Sequence, residues 1–198
     1  MALLNRGHSR FARTLVRTAG VVQALALAVL LFAGGVSAQK RAASFDEVKA
    51  AFVYQFANFI TWPEDAFPDA GTPVTIGIVD NETVADVLRE SVRGKTAAGR
   101  EIIVREVTTP AQAVECQIVY LDKSDQRRVD EYLAVLVGKP ILTVSDDDDF
   151  TEKGGVIRVF EQQNKPKIEI NVDEAERSGL TISSKLLSLA IIVHDNRT

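Results

Sequence analysis

The hydrophobic pattern changes period several times along this chain, and each change marks an element. Ser44-Phe-Asp-Glu47 has the spacing of a capping box, and Val48, Ala51, Phe52, Phe56, Phe59 and Ile60 then recur at helical intervals until Thr61-Trp-Pro63. A first helix is expected there. Beyond it, short runs rich in β-branched residues read as strands at 74–79, 102–107, 118–121 and 141–144. Polar stretches with helical spacing lie between them at 82–92, near 111–115 and at 125–136. Strand and helix alternating at this interval indicate βαβ units around a parallel sheet. The last third follows a different pattern, in which residues 154–160 and 167–171 flank Gln162-Gln-Asn-Lys-Pro166 and read as an antiparallel hairpin, followed by a closing helix over 184–193. The fold class expected is therefore α/β, a single three-layer domain with a mixed, largely parallel sheet, a C-terminal antiparallel hairpin and a closing helix. Residues 64–73, with Pro68, Gly71 and Pro73, form the most loop-like internal stretch.

The N-terminus is built in another way. Residues 1–17 carry Arg6, Arg10, Arg13 and Arg17 with no acidic residue, the run 21–32 is apolar apart from Gln23, and small residues lead to Val36-Ser-Ala38. This is the build of an export signal, with cleavage expected between Ala38 and Gln39. A membrane anchor needs about 20 apolar residues, and this run is nearer a dozen. No cysteine follows the cut and no Arg-Arg pair precedes the run, which favours the general secretory route. The organisation expected is a cleaved signal, residues 1–38, and one α/β domain, residues 39–198, soluble in the periplasm and not inserted in the membrane after cleavage.

Removing the signal leaves 160 residues, enough for one domain that buries roughly 70% of its unfolded surface. It also moves the formal charge from −4 to −8, because all four lost charges are arginines. An acidic body argues against nucleic acid or an anionic membrane surface as partner and tolerates a basic one. Cys116 is the only cysteine, so no internal disulfide can form even in an oxidising compartment. Flanked by Val114, Ile118 and Val119, it reads as a buried strand residue, with a reactive or intermolecular thiol as the alternative.

Several constellations bear on chemistry. Asp80, Asp122 and Ser145 fall at carboxyl ends of strands, where open α/β sheets bind ligands, and form a candidate small-molecule crevice. A phosphoacceptor arrangement is disfavoured, since the position beside Asp80 that should hold a second acid holds Asn81. The run Asp146-Asp-Asp-Asp149 could bind a hard cation, but it lacks the glycine and distal glutamate of a calcium loop and reads as a solvated turn able to meet a basic partner. His194 is the only histidine after residue 38, which starves both nucleophilic catalysis and zinc binding of ligands and bases. Gly154-Gly155 precedes a strand, so it reads as a tight turn and not as a phosphate cradle. No catalytic residue, metal or cofactor is expected. Seven of the eleven aromatic residues beyond residue 38 lie between 45 and 67, more than one helical stripe can hide. Phe52, Phe56 and Phe59 lie near one face, whereas Tyr54 projects elsewhere and Trp62 sits on the exit turn. Either all of them pack beneath the sheet, or Tyr54 and Trp62 open onto a partner or ligand.

Read together, Val48-Lys-Ala-Ala-Phe-Val-Tyr-Gln-Phe-Ala-Asn-Phe-Ile-Thr-Trp-Pro63, Leu142-Thr-Val-Ser-Asp146 with Phe150, Gly154-Gly-Val-Ile157, Ile168-Glu-Ile-Asn171 and Gly179-Leu-Thr-Ile-Ser-Ser-Lys-Leu-Leu-Ser-Leu-Ala190 resemble the YfiR family of small periplasmic regulators. The resemblance implies a non-enzymatic repressor that binds the periplasmic domain of an inner-membrane diguanylate cyclase; its release raises cyclic di-GMP and promotes biofilm. It equally admits a membrane histidine kinase as partner. A second copy of the chain is a further candidate partner, and a periplasmic small-molecule sensor is the competing reading. The family's best-known member carries paired cysteines, whereas this chain has Cys116 alone, so redox control through an internal bridge does not carry over. Candidate partner-binding residues are Tyr54, Phe59, Trp62, Asp146 and Phe150. Gly154, Gly155, Glu169, Asn171, Ser183 and Ser184 match motif positions expected to serve the frame. Glu169 is either an inward acid with a basic partner or the solvent-facing neighbour of Ile168 and Ile170, and the alternation favours the second.

Overall fold

A computed structural model describes residues 44–195. The expected export signal and its cut between Ala38 and Gln39 lie outside the described residues. Ser44 does cap the first helix, α1 (Phe45–Phe56): its hydroxyl accepts from the Glu47 amide while the Glu47 carboxylate accepts from the Ser44 amide. The chain then runs through β1 (Ile60–Thr61), a 3₁₀ turn (Glu64–Ala66), β2 (Val74–Val79), α2 (Glu82–Val92), β3 (Thr96–Ala97), β4 (Arg100–Glu106), α3 (Pro110–Ala113), β5 (Ile118–Leu121), α4 (Gln126–Leu136) and β6 (Leu142–Ser145). It ends with β7 (Ile157–Gln162), β8 (Lys165–Asn171), α5 (Val172–Arg177), β9 (Thr181–Ile182), α6 (Ser184–Leu187) and β10 (Ile191–Val193).

One eight-stranded sheet runs in the order β10-β8-β7-β6-β5-β2-β4-β3. Neighbours from β4 through β2, β5 and β6 to β7 pair in parallel, as the βαβ spacing predicts. The hairpin is antiparallel, and its Gln163 and Asn164 both adopt positive φ, the two-residue turn whose twist matches that of the strands. Residues alternate between two cores. Ile118 and Tyr120 point to the face covered by α1 and α2 through Val53, Phe56 and Leu88, while Val119 and Leu121 meet Val129, Tyr132 and Leu136 of α4 on the other. The domain is thus the three-layer α/β sandwich expected.

Four details differ from the sequence reading. The closing helix stops at Leu187, and Ile191–Val193 instead form an edge strand paired in parallel with Glu169–Asn171. Three β-branched residues in a row pack better on a pleated edge than on a helix. The short helix α5 has no counterpart in the periodicity, because Asn171 both ends β8 and caps α5, its side chain accepting from the Glu174 amide. The two-residue strands β1 and β9 pair antiparallel, too short to leave a pattern. Residues 64–73 are tied down by Arg100, whose Nη1 donates to the carbonyls of Asp69, Ala70 and Thr72 at 2.8–3.0 Å. Among the described residues no helix is long and apolar enough to cross a membrane.

Candidate functional site

The chain leaves β2 toward β4 on one side and returns to β5 on the other, so the carboxyl ends of β2 and β5 flank the switch point where open α/β sheets form crevices. Asp122 leaves the end of β5 and Asp146 the end of β6. Between them sits the ammonium of Lys49, a residue on the inner face of α1 that is only 5% exposed. Its Nζ lies 3.1 Å from Asp146 Oδ2, 2.7 Å from Asp46 Oδ1 and 4.0 Å from Asp122 Oδ2. The Phe45 and Tyr120 rings lie 5.4 and 5.8 Å from it, within range of cation–π attraction. Asp146 Oδ1 accepts from the Tyr120 hydroxyl and from the Lys123 amide, each at 3.2 Å. Asp122 accepts from Asn81 Nδ2 and from the Ser124 amide.

The electrostatics follow from this packing. Burial alone would push the Lys49 ammonium down, but the Asp46 and Asp146 carboxylates outweigh it and hold it above its ordinary value. Burial likewise pushes Asp122 up, yet the bonds from Asn81 and Ser124 and the Lys49 charge hold it below the usual carboxylate range. The Tyr120 phenol is driven far above its ordinary value by burial and by the neighbouring acids. One cation among three carboxylates therefore fills the crevice from within.

Of the crevice candidates, Asp122 joins this cluster. Asp80 does not: it adopts a positive φ and pairs with Arg128 Nη1 at 2.8 Å. Ser145 is fully buried, donating to the Leu121 carbonyl at 2.6 Å and accepting from the Asp147 amide at 3.1 Å. The acidic run disperses: Asp147 is buried beside Lys153, Asp148 pairs with Arg158, and Asp149 is exposed. Among the described residues no group of three or more His, Cys, Asp or Glu is placed to hold a metal ion. Cys116 is buried, and its Sγ sits where a Cβ on Gly77 would come within 2.8 Å. His194 pairs with Asp173 at 2.9 Å on the surface.

Three of the five partner-binding candidates are buried in the described domain. Trp62 is 8% exposed, with its indole N–H donated to the Gln117 carbonyl at 3.2 Å and the Phe67 ring set edgewise against it. Asp146 is buried against Lys49, and Phe150 is fully buried. The indole nitrogen finds a carbonyl and the carboxylate an ammonium, so neither is left buried without a partner. Tyr54 and Phe59 remain half-exposed, each beneath a lysine, Lys95 at 4.6 Å and Lys185 at 5.6 Å.

The matched motif residues brace the connection from β6 to β7. A Cβ on Gly155 would sit 2.2 Å from the Phe150 ring, and Gly154 holds φ +102°. Asn171 donates to the Thr151 carbonyl at 2.9 Å, and Glu169 accepts from the Thr151 hydroxyl on the strand face opposite Ile168 and Ile170. Ser183 caps α6 by accepting from the Leu186 amide, with the exposed Ser184 as its first residue.

Two features escape sequence reasoning. Lys49 is visible there only as one lysine among Ala50, Val53 and Phe56 on the buried stripe of α1. The second is an apolar edge, Leu189, Ile191 and Ile192 at 71, 45 and 39% exposure, hidden because the spacing of the segment reads as a helix with a buried side. A family model described as YfiR/HmsC-like matches residues 46–191, a span that takes in α1 from its second residue, the sheet up to the start of β10, Lys49 with its three carboxylates and the Thr151 brace. The chain belongs to the YfiR/HmsC-like family.

Proposed function

We propose that this protein is a periplasmic repressor that binds the periplasmic domain of an inner-membrane diguanylate cyclase and lowers cyclic di-GMP output. Membership of a regulatory family over residues 46–191 carries the reading. The export signal expected at residues 1–38 supports it, since such a signal would carry the domain to the sensor's side of the membrane. The surface supports it too, because among the described residues β10 ends the sheet with an unpaired edge and exposes Leu189, Ile191 and Ile192 beside it. The periplasmic domain of the sensor docks on that edge, with Tyr54 and Phe59 as a second set of contacts. The protein acts by holding one conformation of the sensor and carries out no turnover of its own.

The test uses the purified domain from residue 39 onward and the periplasmic domain of the membrane cyclase encoded beside it. Calorimetry should detect a complex that Leu189→Asp and Ile191→Asp weaken at least tenfold without changing thermal stability. Deleting the gene should raise cellular cyclic di-GMP. No association, together with unchanged cyclic di-GMP on deletion, would overturn the reading. Binding instead to the external domain of a neighbouring histidine kinase would redirect it to that output.

A further inference from the structure

β6 pairs with β7 only through Val144–Ile157 and Ser145–Arg158, so the rest of β7 projects beyond the carboxyl end of β6. A notch of about 260 Å³ opens there, between the projecting hairpin and the first turn of α1. Phe45 of α1 and Phe160 of β7 supply apolar wall, and Asp146 lines it beside them. The remaining lining residues are charged: Lys123, Asp148, Arg158 and Glu161.

Most of these charges are already consumed. Asp146 is held by Lys49, Tyr120 and the Lys123 amide. Arg158 pairs with Asp148 and lies 4.3 Å over the Phe160 ring, a fixed stack rather than a mobile cation. Lys123 and Glu161 are different. Both are exposed, both line the notch, and among the described residues neither side chain has an ion-pair or hydrogen-bond partner, not even the other. One uncommitted cation and one uncommitted anion therefore face a cavity with two aromatic rings.

We propose that this notch binds a small zwitterion of amino-acid size, its carboxylate taken by Lys123, its ammonium by Glu161, and its apolar side chain set against Phe45 and Phe160. An ion of one sign would satisfy one of these side chains and be repelled by the other, whereas a zwitterion answers both. The volume suits a single amino acid. Binding here adds contacts to α1, the helix that carries Lys49, and needs no particular protein partner.

The probes are L-leucine and L-phenylalanine, with 4-methylpentanoate and 3-methylbutylamine as the versions of leucine that lack its ammonium and its carboxylate. Calorimetry on the domain from residue 39 onward should give saturable binding of at least one amino acid, and at least tenfold weaker binding of both single-charge analogues. Lys123→Gln and Glu161→Gln, both surface changes that leave the melting temperature in place, should each weaken the amino acid at least fivefold. Lys123→Gln should spare the amine, and Glu161→Gln should spare the acid. Absence of saturable binding by both amino acids, or binding unchanged in both variants, would overturn the proposal. Because these readouts involve no sensor domain, their failure leaves the repressor reading standing, and its failure leaves them standing.

Discussion

Replacing Lys49 by methionine keeps all but the last atom of the side chain's reach and removes the charge that the carboxyl-edge cluster is built around. The ammonium lies 3.1 Å from Asp146, and at an effective dielectric near 20 that attraction is about 5 kcal/mol. Burial of both groups offsets much of this in the intact protein, so the pair itself contributes little net stability. The single variant is another matter. Asp146 stays buried with only the Tyr120 hydroxyl and the Lys123 amide to bond it, and breaking a buried pair from one side costs about 3–5 kcal/mol. With a urea m-value of about 2 kcal/mol/M, the midpoint should fall by roughly 1.5–2.5 M at unchanged slope. Asp146→Asn keeps an acceptor for Tyr120 and Lys123, so the double variant Lys49→Met/Asp146→Asn should be more stable than the sum of the two single losses implies, by at least about 1.5 kcal/mol. Equilibrium urea unfolding followed by far-UV circular dichroism measures all four proteins. A Lys49→Met loss below about 1 kcal/mol, with the two changes additive, would refute the view that this charge cluster holds α1 on the sheet.

Three further outcomes are expected. Gly155→Ala drives a methyl to 2.2 Å from the fully buried Phe150 ring and should lower stability by about 1–3 kcal/mol, with Phe150→Leu in the same chain recovering part of the loss; a neutral Gly155→Ala in thermal melts would contradict the brace. Asp122 is held below the usual carboxylate range, so its contribution is fully present above pH about 4 and is lost as pH falls through its lowered value. Stability measured from pH 5 to pH 2.5 should fall less steeply in Asn81→Ala, and an identical slope would argue against that bond. Burial pushes the Cys116 thiol up against a smaller opposing pull from Arg105, so a disulfide reagent at pH 8 should label the native protein at under about 1% of the rate in denaturant.

What could be read in advance depends on the range over which each feature is encoded. The capping box at Ser44, the β-branched runs of the central strands and the turn at Gln163-Asn164 are local, set by neighbours within a few residues, and each appears where the pattern puts it. Strand β10 is not local. Residues 184–193 have helical spacing by themselves, and only the carbonyls and amides of Glu169–Asn171 turn Ile191–Val193 into a strand. The site divides in the same way. Asp122 and Asp146 could be placed at strand ends from the sequence, but Lys49 reaches Asp146 across 97 positions of chain. Aromatic crowding leaves Trp62 open between core and surface, and a motif match alone does not place Phe150, because neither carries a record of the Gln117 carbonyl or of the space that Gly155 leaves.

If the protein represses a sensor as proposed, the size of the exposed edge sets a condition on how that repression works. Moving a sensor from 1:99 to 99:1 between two conformations requires about 5.5 kcal/mol of differential affinity. Complete burial of a leucine or isoleucine contributes about 1.5–3 kcal/mol, and the exposures of Leu189, Ile191 and Ile192 leave about half of that, roughly 2–5 kcal/mol for the three. Apolar burial would also favour both sensor conformations alike if both present an oily surface, and whatever is common to the two shifts nothing. On the proposed repressor reading the discriminating part has to come from contacts with strict geometry, and the backbone edge of β10 is our candidate for them. An added strand must match its spacing residue by residue, so a sensor conformation that offers an extended segment at the right height binds and one that does not is passed over. Proline placed at Ile192 removes one amide from β10 while keeping an apolar side chain. It should therefore reduce repression in cells more than it reduces the apolar area available, and retention of full repression by Ile192→Pro, in a protein that still melts cooperatively, would point to side-chain burial alone as the source of the bias.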